Sequence, residues 1–376
     1  MLTITQINTA NKNQVRKFVE FPYQHYRNCP FWVPPLLVDA NLFLNRKKHP
    51  FFEHSDADFF LAERDGQVLG RIGALENKPF NQYHNTKDAQ FYFFESIDDQ
   101  SVAEALFGAV FAWAKARGLK RLVGPKGMGP LDGYGILIAG HQQRQMMTMM
   151  NYNYEYYPRL IENLGFRKEV DFVSCYVPAE NFNIPERIER IAARVMERGK
   201  LQVKRFKNKR ELVRWAGRIG QAYNDAFVDN WEYYPLTARE IKFVVDNIIT
   251  VADHRLIKII THEEQPAGFL FAFPDLSAAL QRAQGHLFPF GLVDLLLEMG
   301  RTKTVAGNGM GILPAFQGHG GNALLYYEMA KSFIEFDFQH VEMTQVAETA
   351  TQMRADLQNL HAVEYKNHRV FFRDLD

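Results

Sequence analysis

The sequence predicts a mixed α/β (α+β) protein of two similar halves in tandem, each a mostly antiparallel sheet with a parallel strand pair at its centre and flanking helices. Three recurrences predict it. A hairpin pattern, FFLAERDGQVLGRIGA at 59–74, returns as LIKIITHEEQPAGFLFA at 256–272, with Gly70 and Gly268 in matching places 198 residues apart. A helical stretch leading into a second hairpin, LIENLGFRKEVDFVSCYV at 160–177, returns as LQNLHAVEYKNHRVFFRDL at 357–375; Asn163 and Asn359 match at an offset of 196. A strand, loop, helix and strand occupy 91–125 and again 310–346.

Each element has a local cause. The first hairpin places two apolar runs around Asp65-Gly66, a pair that tolerates the positive φ angles of a tight turn. The run SVAEALFGAVFAWAKARG carries apolar residues at helical spacing, with Ser101 as the expected cap and Gly118 as the stop. Its counterpart is NALLYYEMAKSFIEF, followed by the strand HVEMTQV. A strand joined through a helix to the next strand gives a parallel pair, since antiparallel neighbours need only a short turn.

With 376 residues the chain exceeds what one core usually organises. We therefore expect one domain over 1–178, a linking helix over 179–199 and a second domain over 200–376. PAENFNIP breaks regular structure at that boundary, and ERIERIAARVMERGK reads as an amphipathic helix. The halves differ by insertions, 126–157 in the first and 274–300 in the second.

Composition narrows the function classes. The formal net charge is +1, which provides no field to steer the chain to nucleic acid or an anionic surface. No apolar run is long and uninterrupted enough for a membrane span, and the amino terminus lacks a signal-like segment. Two cysteines, Cys29 and Cys175, are too few for a disulfide framework or a cysteine zinc site. The expectation is a cytoplasmic protein with no metal. Aromatic residues make up 14% of the chain, enough to line large cores and apolar clefts.

The segment ILPAFQGHGGN at 312–322 lies where a strand ends and a helix begins. A helix start is an anion site because its first N–H groups are unpaired and the dipole is positive there. Gly318, Gly320 and Gly321 let that backbone approach a phosphate. The segment resembles motif A of the GNAT (N-acetyltransferase) superfamily, Gln/Arg-x-x-Gly-x-Gly/Ala, with Gln317 first, Gly320 central and Pro314 three residues ahead. Asn322 stands where Gly or Ala is usual. The resemblance implies two GNAT-like domains in tandem and acetyl-CoA or another acyl-CoA as co-substrate. Its pyrophosphate would be held by Gln317, Gly318, His319, Gly320, Gly321 and Asn322, and its pantetheine would run along Ile312 and Leu313. At the equivalent place the first half has Asp98 and Asp99, which repel phosphate, so one CoA per chain is expected.

The resemblance further implies transfer of an acyl group, with acetyl as the expected one, to a primary amine of a small molecule or peptide, with a base and an acid at hand. Family members commonly carry a tyrosine acid on the helix after the fifth strand; AETATQMRADLQNL has none. By position the catalytic candidates are Glu342, Glu348 and Asn308. Acceptor contacts are expected from the 126–157 insertion, through Tyr134 and Tyr152, and from YNDAFVDNWEYYP at 223–235, through Asn224, Trp231 and Tyr234. A GNAT-like module that binds a ligand without turnover is the alternative expectation. A transferase using aminoacyl-tRNA would call for a basic surface run that the sequence lacks.

Overall fold

The computed structural model describes residues 1–130, 132–147, 150–178, 184–228, 231 and 233–375. In chain order the first half comprises β1 (Leu2–Gln6), α1 (Lys12–His25), α2 (Leu37–Phe43), β2 (Asp56–Arg64), β3 (Gln67–Glu76), α3 (Lys78–His84), β4 (Asp88–Ser96), α4 (Gln100–Ala116), β5 (Arg121–Gly124), β6 (Ile136–Ala139), α5 (Tyr157–Glu162) and β7 (Arg167–Pro178). The second comprises α6 (Glu186–Arg198), β8 (Gln202–Lys204), α7 (Lys209–Ala226), α8 (Ala238–Val251), β9 (Ile257–His262), β10 (Gln265–Pro274), α9 (Ser277–Ala283), α10 (Gly291–Arg301), β11 (Thr304–Ile312), α11 (Gly321–Glu335), β12 (His340–Ala347), α12 (Thr351–Asn359) and β13 (Val363–Asp374).

The strands form one continuous sheet in the order β1-β2-β3-β4-β5-β13-β7-β12-β11-β10-β9-β8, with β6 also pairing β13. That order reads the same from both ends once the halves are matched, which is the structural counterpart of the sequence repeat. Two pairs are parallel, β4 with β5 and β11 with β12, and each is crossed by a helix, α4 or α11.

One expectation is corrected at the centre. The stretches 160–177 and 357–375 do not close into hairpins of their own. Each is a helix and then one long strand, and the two strands pair antiparallel with each other from Val363↔Tyr176 to Phe372↔Arg167. β13 then lies beside β5 of the first half, and β7 beside β12 of the second. Each half thus completes its sheet with the other's last strand, so the sheet crosses the expected boundary; residues 179–183 of the expected linker lie outside the described residues.

Alternation along the strands sets the layers. Phe60, Ala62, Ile72 and Ala74 face α4, while Phe59, Leu61 and Leu75 face α1. In the second half Ile260, Leu270 and Val341 face α6 and α11, and Ile257, Ile259, Phe269 and Phe271 face α7 and α8. The matched glycines are small because their surroundings are full. A Cβ at Gly70 would lie 2.9 Å from Glu95 O, and one at Gly268 would lie 2.5 Å from Ile312 Cδ1. Helix α4 starts two residues earlier than expected, with Asp99 rather than Ser101 as its cap.

Candidate active site between the two halves

β11 and β12 pair only from Thr304↔His340 to Gly307↔Met343. Beyond that point β11 keeps β10 on one side up to Ile312, while β12 follows β7. The central strands therefore splay. The break coincides with a bulge on β11, where Gly309 has φ +107° and the β10 register slips between Leu270 and Ala272.

On the α11 side of the splay lies the glycine loop. Gly318 and Gly320 have φ of +73° and +80°, and no side chain caps the N-terminus of α11. Its first N–H groups remain available to an anion. Gln317 Nε2 donates to Ile312 O at 3.3 Å, tying the loop to the end of β11. His319 leans on Lys200, 3.4 Å between Nε2 and Nζ, so a cation that motif reading missed stands beside the loop. Asn322 Nδ2 reaches Asp356 Oδ2 at 3.4 Å, and Tyr326 OH reaches the same oxygen at 3.2 Å. The departure at Asn322 thus bridges α11 to α12, the two helices that flank the splay.

The first half fills its own equivalent space. β4 and β5 pair only from Asp88↔Arg121 to Gln90↔Val123. Past them, Tyr156 OH donates to Ser96 O at 2.6 Å and Ser96 N donates to Tyr157 OH at 3.0 Å, with Tyr157 fully buried. Asp99 accepts from Ser101 N at 2.9 Å, so a carboxylate of the chain occupies the anion position at the start of α4.

On the other face of the sheet the splay meets a cavity of about 510 Å³. Asn308, Tyr134, Asn224, Trp231 and Tyr234 all line it, bringing the 126–157 insertion and the 223–235 segment to one site. Residues 131, 148 and 149 of the first segment, and 229, 230 and 232 of the second, lie outside the described residues. Asn308 Nδ2 donates to Thr344 Oγ1 at 3.2 Å across the splay. Tyr134 stacks on Phe172 at 5.0 Å, and Phe172 meets Trp231 edge-on at 5.8 Å.

Three other candidates sit elsewhere. Tyr152 packs with Tyr26, Trp32 and Leu137 and does not line this cavity. Glu348 accepts from Asp171 N at 3.0 Å and Lys168 Nζ at 2.7 Å, which commits both oxygens to β7. Glu342 is partly buried beside Tyr365, Lys366 and His340. Burial opposes its charge, and the bonds from His340 and Tyr365 with the Lys366 ammonium overcome that and hold its carboxyl below the usual range. Burial draws Lys366 down to about 8. These two form a structural ion cluster outside the cavity lining.

The first half contributes cavity groups that no motif announced. Gln90 is 2% exposed, lines the cavity, and its Oε1 has no hydrogen-bond partner among the described residues. Buried polar atoms are seldom left so, and this one suits an N–H or O–H of a ligand. Asp132 also lines the cavity, and loss of solvent pushes its carboxyl up from 3.8 to about 6 despite bonds from Met128 N at 2.7 Å and Gly129 N at 2.9 Å. The Lys126 ammonium lies 3.9 Å from the Phe80 ring centre and 5.4 Å from that of Trp231. No helix among the described residues is long and apolar enough to cross a membrane.

No family model matches the chain. It is 26% identical to protein YghO of Escherichia coli over 374 residues, 97% of this chain and 94% of that one. It is also 26% identical to a Caulobacter vibrioides protein named bacterial ceramide synthase over 373 residues, 96% of this chain and 95% of that one. Among solved structures, a tandem GNAT protein from the clavulanic acid biosynthesis pathway matches 100% of this chain and 99% of its own with a TM-score of 0.59 at 9% identity. The splayed strand pairs, the glycine loop at the start of α11 and this match over the full length agree: the chain has the tandem GNAT fold.

Proposed function

We propose that the protein transfers an acyl group from acyl-CoA to an amine, with the second half holding the CoA and the first half supplying much of the acceptor site. The carrying observation is that one splay joins the glycine loop at the uncapped start of α11, on one face of the sheet, to a polar and aromatic cavity on the other. In this reading Gln317 to Asn322 hold the pyrophosphate, and Ile312 and Leu313 run beside the pantetheine. CoA supplies the thioester. The acceptor nitrogen attacks its carbonyl carbon, a C–N bond forms, and the C–S bond breaks with loss of the thiolate. Asp132, with its carboxyl near 6, takes the proton that the nitrogen loses and passes it on to the leaving sulfur.

The Caulobacter relative's name supports a choice of acceptor. A ceramide is the amide of a fatty acid with a long-chain amino alcohol, and we propose an acceptor of that kind over a peptide end. Its hydroxyl and amine donors would meet Gln90 Oε1. Binding without turnover is the second reading, supported by the absence of a tyrosine on α12. One experiment separates the two: incubation with palmitoyl-CoA and sphinganine, following thiol release and the amide by mass spectrometry. Saturable CoA binding with no amide formed would favour the second reading.

A further inference from the structure

We propose that the apolar seam between α7 and α8 is the subsite for the acyl chain of the CoA thioester, which makes the protein selective for long chains over acetyl. This rests on the acyl-CoA reading above. The seam is lined by hydrocarbon side chains, among them Leu212 and Ile219 of α7, Val245 and Ile248 of α8, and Ile257 and Phe271 of the sheet.

Its entrance identifies its occupant. Tyr223 and Leu236 line both the seam and the cavity. A Cβ built at Gly309 would lie 3.7 Å from Phe271 Cδ2 and 4.0 Å from Tyr223 Cε2. The seam therefore begins at the bulge where β11 leaves β12, the place at which a thioester passing through the splay emerges. The polar groups Gln90, Asp132 and Lys126 come from the first half, leaving that wall to the acceptor and the seam to the chain on the carbonyl.

Helix α8 is built loosely for a core helix. Ile241, Val244, Val245, Ile248 and Ile249 all line the seam, yet each stays partly exposed, and Glu240 is the one buried residue of the helix. The seam has a cavity volume of about 50 Å³, room for the leading methylenes, and in this proposal the rest of a longer chain lies over the apolar side chains of α7 and α8. Each methylene removed from water there is worth about fourfold in affinity.

The test is calorimetric titration of the full chain with CoA, acetyl-CoA, octanoyl-CoA and dodecanoyl-CoA, with dodecylamine as a separate ligand. Acetyl-CoA should bind like CoA, octanoyl-CoA at least tenfold more tightly, and dodecanoyl-CoA more tightly again. Ala216→Phe fills the seam and should erase the gain with chain length while leaving CoA affinity within twofold. Ile248→Ala, which only removes atoms, should reduce the gain about tenfold. Affinity independent of chain length, with CoA itself bound, overturns the seam and leaves the acyl-CoA reading standing. Failure to bind CoA at all overturns both. If Ala216→Phe weakens dodecylamine and leaves the acyl-CoA series intact, the seam belongs to the acceptor and the proposal is wrong.

Discussion

Gln345 and Tyr134 pair side chain to backbone as neighbouring strands would: Gln345 Nε2 donates to Tyr134 O at 3.0 Å, and Tyr134 N donates to Gln345 Oε1 at 3.3 Å. The amide thus anchors the first half's insertion to β12 at the splay. Gln345 has φ +53°, an uncommon conformation outside glycine that the doubly bonded side chain holds in place. Gln345→Ala removes both bonds and leaves Tyr134 N and O to find new partners, at a cost of about 1–3 kcal/mol. We expect a lower melting temperature and a raised KM for the amine with CoA affinity unchanged. An unaltered amine KM would disconnect the insertion from the acceptor site.

Gln90 allows a cleaner test because its amide oxygen has no partner among the described residues. Gln90→Met keeps the length and removes the unsatisfied polar group, so stability should hold or rise slightly. Acceptor binding should weaken by up to about tenfold, the contribution of one neutral hydrogen bond. Steady-state kinetics with CoA and amine varied separately would read this out, and a change confined to the CoA KM would contradict the placement.

Much of this was legible in the sequence, and the exceptions have physical causes. The repeat, the crossovers and the loop at Gln317 to Asn322 follow from local periodicity and turn chemistry, which neighbouring residues encode. The exchange of β7 and β13 was not legible, because an apolar alternating strand fits equally well beside its own half or the other. Tyr134 could be named from the insertion that interrupts the repeat, Asn224, Trp231 and Tyr234 from the segment after the first helix of the second half, and Asn308 from its strand before the loop. Gln90 and Asp132 could not, since each gains its character from burial in the folded cavity, which no local pattern encodes. Glu342 showed the converse: its position on β12 is as expected, and Tyr365 and Lys366, remote in sequence from it, draw its carboxylate into a cluster.

Asp132 predicts two pH dependences of fixed sign. With its carboxyl near 6, the base form appears as pH rises, so kcat/KM should climb through pH 6 and level off above it. Asp132→Asn keeps an acceptor for Met128 N and Gly129 N, should cost about 10²–10⁴ in rate, and should lose that inflection. For stability, a folded value raised from 3.8 to about 6 favours the neutral carboxyl, so stability is fully present below pH 3.8 and falls as pH rises to 6. The variant should therefore match wild type near pH 3.5 and be the more stable of the two above pH 6. Melting curves across that range check the sign; a gap that shrank with rising pH would mean that the site stabilises the carboxylate.

The loop provides the last prediction. A Cβ at Gly320 would lie 2.8 Å from Val195 Cγ2 and 3.0 Å from Ile191 Cγ2, and φ there is +80°. A side chain must therefore push α6 aside or turn the backbone that presents the first N–H groups of α11, at a cost of about 1–3 kcal/mol for the strain alone. Gly320→Val should abolish CoA binding. Gly318 has a similar φ of +73° but open space around it, so Gly318→Ala should weaken binding by no more than about tenfold. Asn322→Gly restores the family pattern and cuts the bridge to Asp356, freeing α12 to move away from α11. Acyl-CoA should bind as well or better, while the folded protein loses up to about 1 kcal/mol of stability from glycine in the first turn of α11. Because Tyr156 and Tyr157 fill the equivalent space in the first half, wild type should titrate with one CoA per chain. Calorimetry on the four proteins decides it: two equivalent sites in wild type, or saturable binding that Gly320→Val leaves intact, would remove this loop as the pyrophosphate site.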